Sequence, residues 1–454
     1  MSVSIGSSCR TLPAKRKWKA VLSLLLCLGM LLSFCSCSAG SSETGPSSGG
    51  VVKAPSKKPV QLNQPFKGTF SNLSMSEESY LDAYRQFAFR FFNTFASNDP
   101  EGNTCLSPLS AYMAFSLCFA GSEGKTAQEF RDVFGLDKQA AQAFCEGLCS
   151  SYLQRNTRQK TTKIGLANSV WISSEDSEYV KKSYLETATS SFGAPIFSCD
   201  FSDPGTVREV NQWCSDQTDG LIDRIVDSFD EMQVLALINA LLLEASWVQP
   251  YESHDVETGP FTNKGGQITN AVYLCRKIDL FFENKTAKAF TMPLCDGFTF
   301  VGILPNEEWS IDSFCQNLSS DFFTDLLDHP VYDYSVLTRI PKIKLDYQAD
   351  LIDGMKEMGL VSAFDSGNAN FRSLIEIPGF NVSIGQALQK THFELDENGI
   401  KAAAVTYIGM VKEGGMAEPK PSIMLYLNRP FVYVLMDNLT GLPLFIGTIK
   451  TLQK

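Results

Sequence analysis

The chain has 454 residues, 44% hydrophobic and 20% charged, with a formal net charge of −11. That balance excludes a disordered or fibrous chain and leaves ample apolar material for one large core. The acidity argues against nucleic acid as a partner and favours solubility.

The start of the chain reads as a targeting segment. Arg10, Lys15, Arg16, Lys17 and Lys19 make it basic, and Ala20 to Phe34 follows as an apolar run of 15 residues. Such a run is too short to span a bilayer comfortably. It ends in Ser33-Phe34-Cys35-Ser36-Cys37-Ser38, which resembles a bacterial lipoprotein cleavage site. Small Ser36 before Cys37 makes Cys37 the lipidated residue, with Phe34 departing from the usual Leu. Cys35, preceded by bulky Phe34, is the weaker choice, and a plain secretory signal cut nearby is the alternative. Residues 1–36 are thus expected to be removed. They hold five Lys/Arg and no Asp/Glu, so removal takes the charge from −11 to −16. Residues 37–72 are Ser/Gly-rich and then Pro-punctuated, and read as a flexible tether. The body, residues 73–454, would hang from a membrane through the lipid alone, or be secreted.

Within the body, helical spacing predicts helices over Phe87–Phe95, Ser110–Gly121, Thr126–Phe134 and Lys138–Arg155, with caps near Ser107 and Ser110. Lys163–Ile172 and Val234–Trp247 read as buried strands, and residues 288–304 and 334–347 add more. Helices early and strands late give an α+β class with large sheets in the second half. A prior of ~150 residues per domain would suggest about three domains, but no interior segment reads as a linker, so one domain is expected.

Enzyme signatures are absent from the sequence. There is no Gly-x-Ser-x-Gly, no phosphate-cradling Gly loop, no dinucleotide fingerprint and no His-Glu-x-x-His. A Ser-His-Asp site would have to use His254, His329 or His392. His254 and His329 sit in polar connections, and His392 reads as a structural strand residue. Nine of the 13 cysteines follow Cys37, an odd number, and none form Cys-x-x-Cys. Cys145 and Cys149 could share a helix face. No metal and no cofactor is expected, and most of these thiols read as small buried hydrophobes.

The stretch Glu397-Asn398-Gly399-Ile400-Lys401-Ala402-Ala403-Ala404-Val405-Thr406 is unusual. It opens a long connection, about 397–421, between strand-like Leu388–Leu395 and Ser422–Leu427, and long loops tend to be functional. Yet Ile400 to Ile408 would also fit a packed strand, with Ile400, Ala402, Ala404, Thr406 and Ile408 on one face.

This arrangement resembles the hinge and reactive loop of the serpins. Further pieces agree in order from residue 73 to the end. Asn103-Thr104-Cys105-Leu106-Ser107-Pro108-Leu109-Ser110 is similar to the family's Asn…Ser-Pro-x-Ser motif, and Asn211-Gln212-Trp213 through Thr218-Asp219-Gly220-Leu221-Ile222 to its Asn-x-Trp…Thr-x-Gly-x-Ile helix. Ile238-Asn239-Ala240 with Trp247, Met292-Pro293-Leu294, Ile303-Leu304-Pro305, the stretch Phe364–Phe371, Asn428-Arg429-Pro430-Phe431 and Leu444-Phe445-Ile446-Gly447 also match family patterns.

The resemblance implies a serpin fold, helices packed around three β-sheets with an exposed reactive loop. It implies a suicide substrate, not an enzyme. A serine protease cuts the loop, is held as an acyl-enzyme, and is trapped when the loop inserts into the main sheet. The hinge residues are Glu397, Gly399, Ile400, Ala402, Ala403 and Ala404; Ile400 and Lys401 replace the usual Thr and Glu. Small side chains and the lack of Pro from Gly399 to Ala417 suit insertion. At ~1 kcal/mol per ladder bond, about a dozen inserted residues yield on the order of 10 kcal/mol. The implied sheet-gating residues are Ser107, Ser110, Asn239, Trp247 and Gln389, with Gln389 where many serpins have His. Counting about seventeen residues from Glu397 places the reactive bond at Glu413-Gly414, with Lys412 the alternative. The expected partner is a glutamyl- or lysyl-specific serine protease, or a cysteine protease, met by a monomer. The alternative is a non-inhibitory member acting as a binding or carrier module.

Overall fold

The computed structural model describes residues 58–65, 77–158, 162–230, 232–400 and 420–453. The chain divides into Met1–Ala54 and Pro55–Lys454. The first unit, with Cys37, lies outside the described residues.

Nine α-helices are described: α1 (Glu78–Asn98), α2 (Pro108–Gly121), α3 (Gly124–Phe134), α4 (Lys138–Arg158), α5 (Lys182–Phe192), α6 (Pro204–Gln217), α7 (Ile311–Asn317), α8 (Ser320–Leu327) and α9 (Ile352–Glu357). Helix α1 buries Leu81, Tyr84, Phe87, Ala88, Phe91, Phe92 and Phe95 at helical spacing. Helix α2 is buried on every side from Pro108 to Phe119, as expected of a helix that is apolar all round. Ser107 caps it by accepting from Ser110 N, and Pro108 occupies the first turn, where its missing N–H costs nothing.

The strands form three sheets. The main sheet runs β1 (Val60–Gln61), β4 (Ile196–Cys199), β3 (Thr162–Ser173), β5 (Leu235–Ser246), β15 (Gly399–Ile400), β14 (Gln386–Leu395), β13 (Ile343–Asp350). The second runs β11 (Pro330–Val331), β8 (Phe281–Glu283), β9 (Ala287–Leu294), β10 (Phe298–Pro305), β17 (Phe431–Asp437), β18 (Leu442–Ile449), β2 (Thr104–Leu106). The third runs β16 (Ser422–Tyr426), β12 (Ser335–Pro341), β7 (Ile268–Ile278), β6 (Val256–Thr262). One face of the main sheet joins the large core shared with α1, α2 and the second sheet. The other face carries a smaller core, where Ala236, Ile238 and Ala240 of β5 pack with Val210 and Cys214 of α6 and with Ile222 and Ile225.

Several expected boundaries moved. The run 288–304 is two strands, because Asp296 (φ +62°) and Gly297 (φ +83°) turn the chain between β9 and β10. The stretch 334–347 divides at Pro341 and Lys342 into strands of different sheets. The expected helix through Ile222 ends at Gln217. Thr218 Oγ1 donates to Cys214 O (2.8 Å) and accepts from Ile222 N (3.1 Å), and Asp219 (φ +51°) and Gly220 (φ +79°) reverse the chain. Helices α7 to α9 also fall in the half where strands were expected to dominate.

The described part of the expected tether is docked. Val60 and Gln61 pair antiparallel with Ser198 and Phe197. Asn63 is buried; its Oδ1 accepts from Ile196 N (2.8 Å), and its Nδ2 donates to Ala194 O (2.8 Å) and Thr189 Oγ1 (2.8 Å). One amide thus satisfies an edge of the main sheet, which composition alone does not reveal.

Candidate functional site

Strand β14 ends at Leu395 and the chain reverses over Asp396–Asn398 into β15. The Asp396 carboxylate accepts from Asn398 N (2.7 Å) and Gly399 N (3.3 Å), an Asx turn. Gly399 has φ +145°, and a Cβ there would lie 2.2 Å from Ala245 O and 2.7 Å from Ser246 Cα. The hinge therefore needs glycine, for close approach to β5 and for backbone conformation. Ile400, 3% exposed, pairs with Ala245 of β5 and with Leu395 of β14. Three of the hinge residues named from sequence, Glu397, Gly399 and Ile400, are thus brought together at one end of the main sheet, its top.

Trp247 organises that end. Its backbone N donates to Asn398 O (2.9 Å), and its indole Nε1 donates to Asp396 O (2.9 Å). Its ring meets Tyr251 and Phe300 edge-on, with centroids 5.8 and 6.2 Å away. Tyr251 N donates to Glu397 O (2.9 Å). The Glu397 carboxylate pairs with the Lys342 ammonium. Partial burial opposes ionisation of Glu397, but the hydrogen bond and charge of Lys342 outweigh it and hold the carboxyl below its usual range. Asp396 and Lys342 were not singled out from sequence; the loop-adjacent acidic pair Asp396-Glu397 was the available signal.

Lower on the same sheet lie Asn239 of β5 and Gln389 of β14, with Ser107 and Ser110 at the start of α2. Gln389 is 1% exposed; its Oε1 accepts from Ser107 N (3.0 Å) and its Nε2 donates to Ser107 O (2.8 Å). Ser107 Oγ donates to Leu444 O (3.0 Å) and accepts from Ser110 N (3.2 Å). Gln389 thus ties β14 to the start of α2, and Ser107 ties α2 to β18. Asn239 sits opposite Gln389 in the β5–β14 pairing, but its side chain bonds Asn168 across β3 and β5. Asn168 escaped the sequence reading, although a lone amide inside an apolar strand was a visible anomaly. Thr391 Oγ1 adds a bond from β14 to Cys105 O (2.6 Å).

Between these two ends lies the seam of β5 and β14. The strands pair directly, and in parallel, from Ala236–Asn239 against Gln386–Gln389. At the top β15 stands between them. Among the described residues no pairing joins Ala240–Glu244 to Lys390–Glu394. The far end of the loop is held on the third sheet, where Lys420 Nζ donates to Tyr332 O (2.7 Å) and Ser335 N to Pro421 O (2.9 Å). The remaining hinge residues Ala402, Ala403 and Ala404, and the expected reactive bond Glu413-Gly414 with Lys412, lie outside the described residues.

The histidines have local partners. His392 Nδ1 lies 2.7 Å from Asp346 Oδ1, His329 Nδ1 lies 2.6 Å from Asp325 O, and His254 is exposed between Glu252 and Asp255. No cluster of three or more His, Cys, Asp or Glu among the described residues could hold a metal ion. Eight of the nine described cysteines are buried. Burial pushes the Cys105 thiol up to about 11 and those of Cys145 and Cys315 up to about 12, which makes them poor nucleophiles.

A family model described as "Serpin (serine protease inhibitor)" matches residues 82–451. Serpin-ZX of Arabidopsis thaliana is 26% identical over 365 residues, covering 77% of this chain and 92% of its own length. Iripin-8 of Ixodes ricinus is 27% identical over 373 residues, covering 78% and 89% respectively. The crystal structure of a thermophilic serpin, tengpin, in the native state superposes with a TM-score of 0.76 at 28% identity, covering 87% of this chain and all of the other. Its latent state gives a TM-score of 0.71, covering 83% of this chain.

Proposed function

The chain belongs to the serpin family, and on that premise we propose that it inhibits serine-type endopeptidases as a suicide substrate. The observation that carries this reading is the seeding of β15. The first residues of the loop already occupy the position of a strand between β5 and β14. After cleavage the loop can lengthen that strand without a new nucleation step. Ladder bonds on both sides then drive insertion, at ~1 kcal/mol net each. Ala402, Ala403 and Ala404 are small enough to enter. The distal anchor at Lys420 and Pro421 lies beside a different sheet, so the two described ends of the connection are fixed on different sheets. Trp247 and the Gln389–Ser107 link hold the two ends of the seam until then.

We assign the reactive bond to Glu413-Gly414, with Lys412 as the competing site. The target is then a glutamyl- or lysyl-specific serine protease. Export, with Cys37 lipidated and the protein acting as a monomer at a cell surface, completes the proposal.

The body with its docked segment, residues 55–454, should form a denaturant-resistant covalent complex with such a protease, and loop cleavage should raise the thermal midpoint sharply. Cleavage without a complex and without a rise, across a panel of serine and cysteine proteases, assigns the chain to the binding or carrier class. In a bacterial host Cys37→Ser should move the full chain out of the detergent phase; unchanged partitioning would refute the lipid anchor.

A further inference from the structure

Asn398-Gly399 is the single Asn-Gly step in the chain. Such a step carries chemistry of its own. The peptide nitrogen of the glycine can lose its proton and attack the asparagine Cγ. Ammonia leaves, a succinimide ring closes, and water then opens it. Opening at the side-chain carbonyl gives aspartate. Opening at the main-chain carbonyl gives isoaspartate, in which the backbone runs through Cβ and Cγ. Glycine permits this approach most readily, because it has no Cβ to block it. Water is the only co-reactant.

The fold puts this step where its product does most harm. Asn398 is half-buried in the reversal between β14 and β15. Its carbonyl accepts from Trp247 N (2.9 Å). Gly399 lies so close to β5 that a Cβ there would stand 2.2 Å from Ala245 O. An extra backbone atom has no room in that contact. It would also carry Ile400 out of its pairing with Ala245 and Leu395. The aspartate product adds a carboxylate directly after Asp396 and Glu397, where the Lys342 ammonium is already paired with Glu397.

The same turn restrains the reaction. The Asp396 carboxylate accepts from Gly399 N (3.3 Å) as well as from Asn398 N (2.7 Å). A negative charge beside an N–H disfavours loss of its proton, and the protonated nitrogen is not the nucleophile. The peptide plane between Asn398 and Gly399 is therefore held at both of its polar atoms, the carbonyl by Trp247 and the N–H by Asp396. Trp247 Nε1 in turn holds Asp396 O (2.9 Å). Ring closure must turn that plane, so it waits on local opening of the clasp.

We propose that Asn398 is a site of spontaneous succinimide formation, slowed while Asp396 and Trp247 hold the turn, and that its conversion to isoaspartate unseats β15. The hinge then carries a chemical clock. Chains age by losing the strand seed, and any loosening of the turn speeds the loss. The consequence for protease trapping rests on the inhibitory reading above; the modification itself does not.

The test ages the full chain at fixed pH and temperature and follows the peptide containing residue 398 by mass spectrometry. Isoaspartate is scored by enzymatic methylation and ammonia by its release. Isoaspartate from the steps Asp219-Gly220, Asp296-Gly297 and Asp353-Gly354 falls in other peptides and releases no ammonia. Residue 398 should convert in the folded chain, and severalfold faster in the chain unfolded in urea. Asp396→Ala should speed conversion severalfold in the folded chain, with Asp396→Asn between. Trp247→Phe, which loses only the indole donor, should also speed it if Asp396→Ala fails to fold. Asn398→Gln should abolish it, because the larger ring closes far more slowly. In the converted fraction, Trp247 N should lose its protection against hydrogen exchange. No conversion at 398 in the folded chain, over a time in which the unfolded chain converts fully, overturns the site. Conversion no faster in Asp396→Ala and Trp247→Phe overturns the restraint, and conversion with Trp247 N still protected overturns the unseating. In a chain that traps its protease, trapping should decline with age in step with conversion, and Asn398→Gln should not decline. If the fresh chain is cut without trapping, the inhibitory reading falls and the modification is still decided by the isoaspartate measurement.

Discussion

At the lower end of the β5–β14 seam, the two strands hydrogen-bond to each other, and Gln389 anchors β14 to Ser107 at the start of α2. At the upper end a third strand stands between them, held by the backbone and indole of Trp247. The lower closure must be broken before a strand can pass, and a buried amide loses its partners when it breaks. The upper closure needs no breakage, since its new strand is already begun. Under the proposed inhibitory function, the two ends set a direction: the sheet would open from the hinge toward Gln389, one rung at a time.

The largest expected effect breaks the upper end. Gly399→Val would drive a side chain into Ala245 O and impose a β-branched residue at φ +145°. Strain and overpacking together should cost roughly 3 kcal/mol or more. We expect β15 to be expelled and the variant to be cut and released by its protease. A variant that still traps protease with unchanged stoichiometry would show that the strand seed is dispensable.

The next breaks the lower end. Gln389→Leu leaves the buried Ser107 N without its partner, while Ser107 O still accepts from Ala111 N (3.1 Å). One orphaned donor costs about 1–3 kcal/mol. Denaturant unfolding of the uncleaved chain should show that loss, and spontaneous loop insertion without cleavage should become faster. If both Gly399→Val and Gln389→Leu slowed insertion, the two ends would act alike and the direction inferred above would be lost.

The smallest sharpens the hinge itself. The Glu397 carboxyl lies below its usual range in the folded chain because of Lys342. A depressed folded value means the stabilisation is present above the unfolded pKa of about 4.3. It is lost as pH falls through the lower folded value. Both side chains are about one-third exposed, 34% for Lys342 and 30% for Glu397, so the effect should stay below about 1 kcal/mol. The protection against hydrogen exchange of Trp247 N and Tyr251 N, which bond to Asn398 O and Glu397 O, should fall in acid when each rate is taken relative to the intrinsic exchange rate at that pH. Lys342→Met should remove that dependence, and an identical pH profile in the variant would rule the pair out.

Much was written in local chemistry. The repeat of Leu81, Tyr84, Phe87, Phe91 and Phe95 makes a helix wherever it is placed, although only its middle was expected. Ser107-Pro108 starts a helix by capping and by proline's fixed φ, and β5 declares itself by an apolar run interrupted only by Asn239 and Glu244 before Ser246. Gly399 and Ile400 opened a stretch read as fit for a strand, and these two residues form β15. These follow from interactions within a few residues, or from periodicity along one element. Tertiary structure decided what depends on partners far along the chain. Gln389 bonds Ser107 across 282 residues, and nothing near either predicts the other's place. Asn239 turned to Asn168 rather than to its strand neighbour Gln389, because the two amides face each other across β3 and β5. Val60 to Asn63 left the expected tether for the edge of the main sheet because unpaired backbone groups there accept a strand. The opposite-charge pairs beside the seam are likewise a property of register: Lys163 meets Glu244, and Lys344 meets Glu394, only once β3 lies against β5 and β13 against β14.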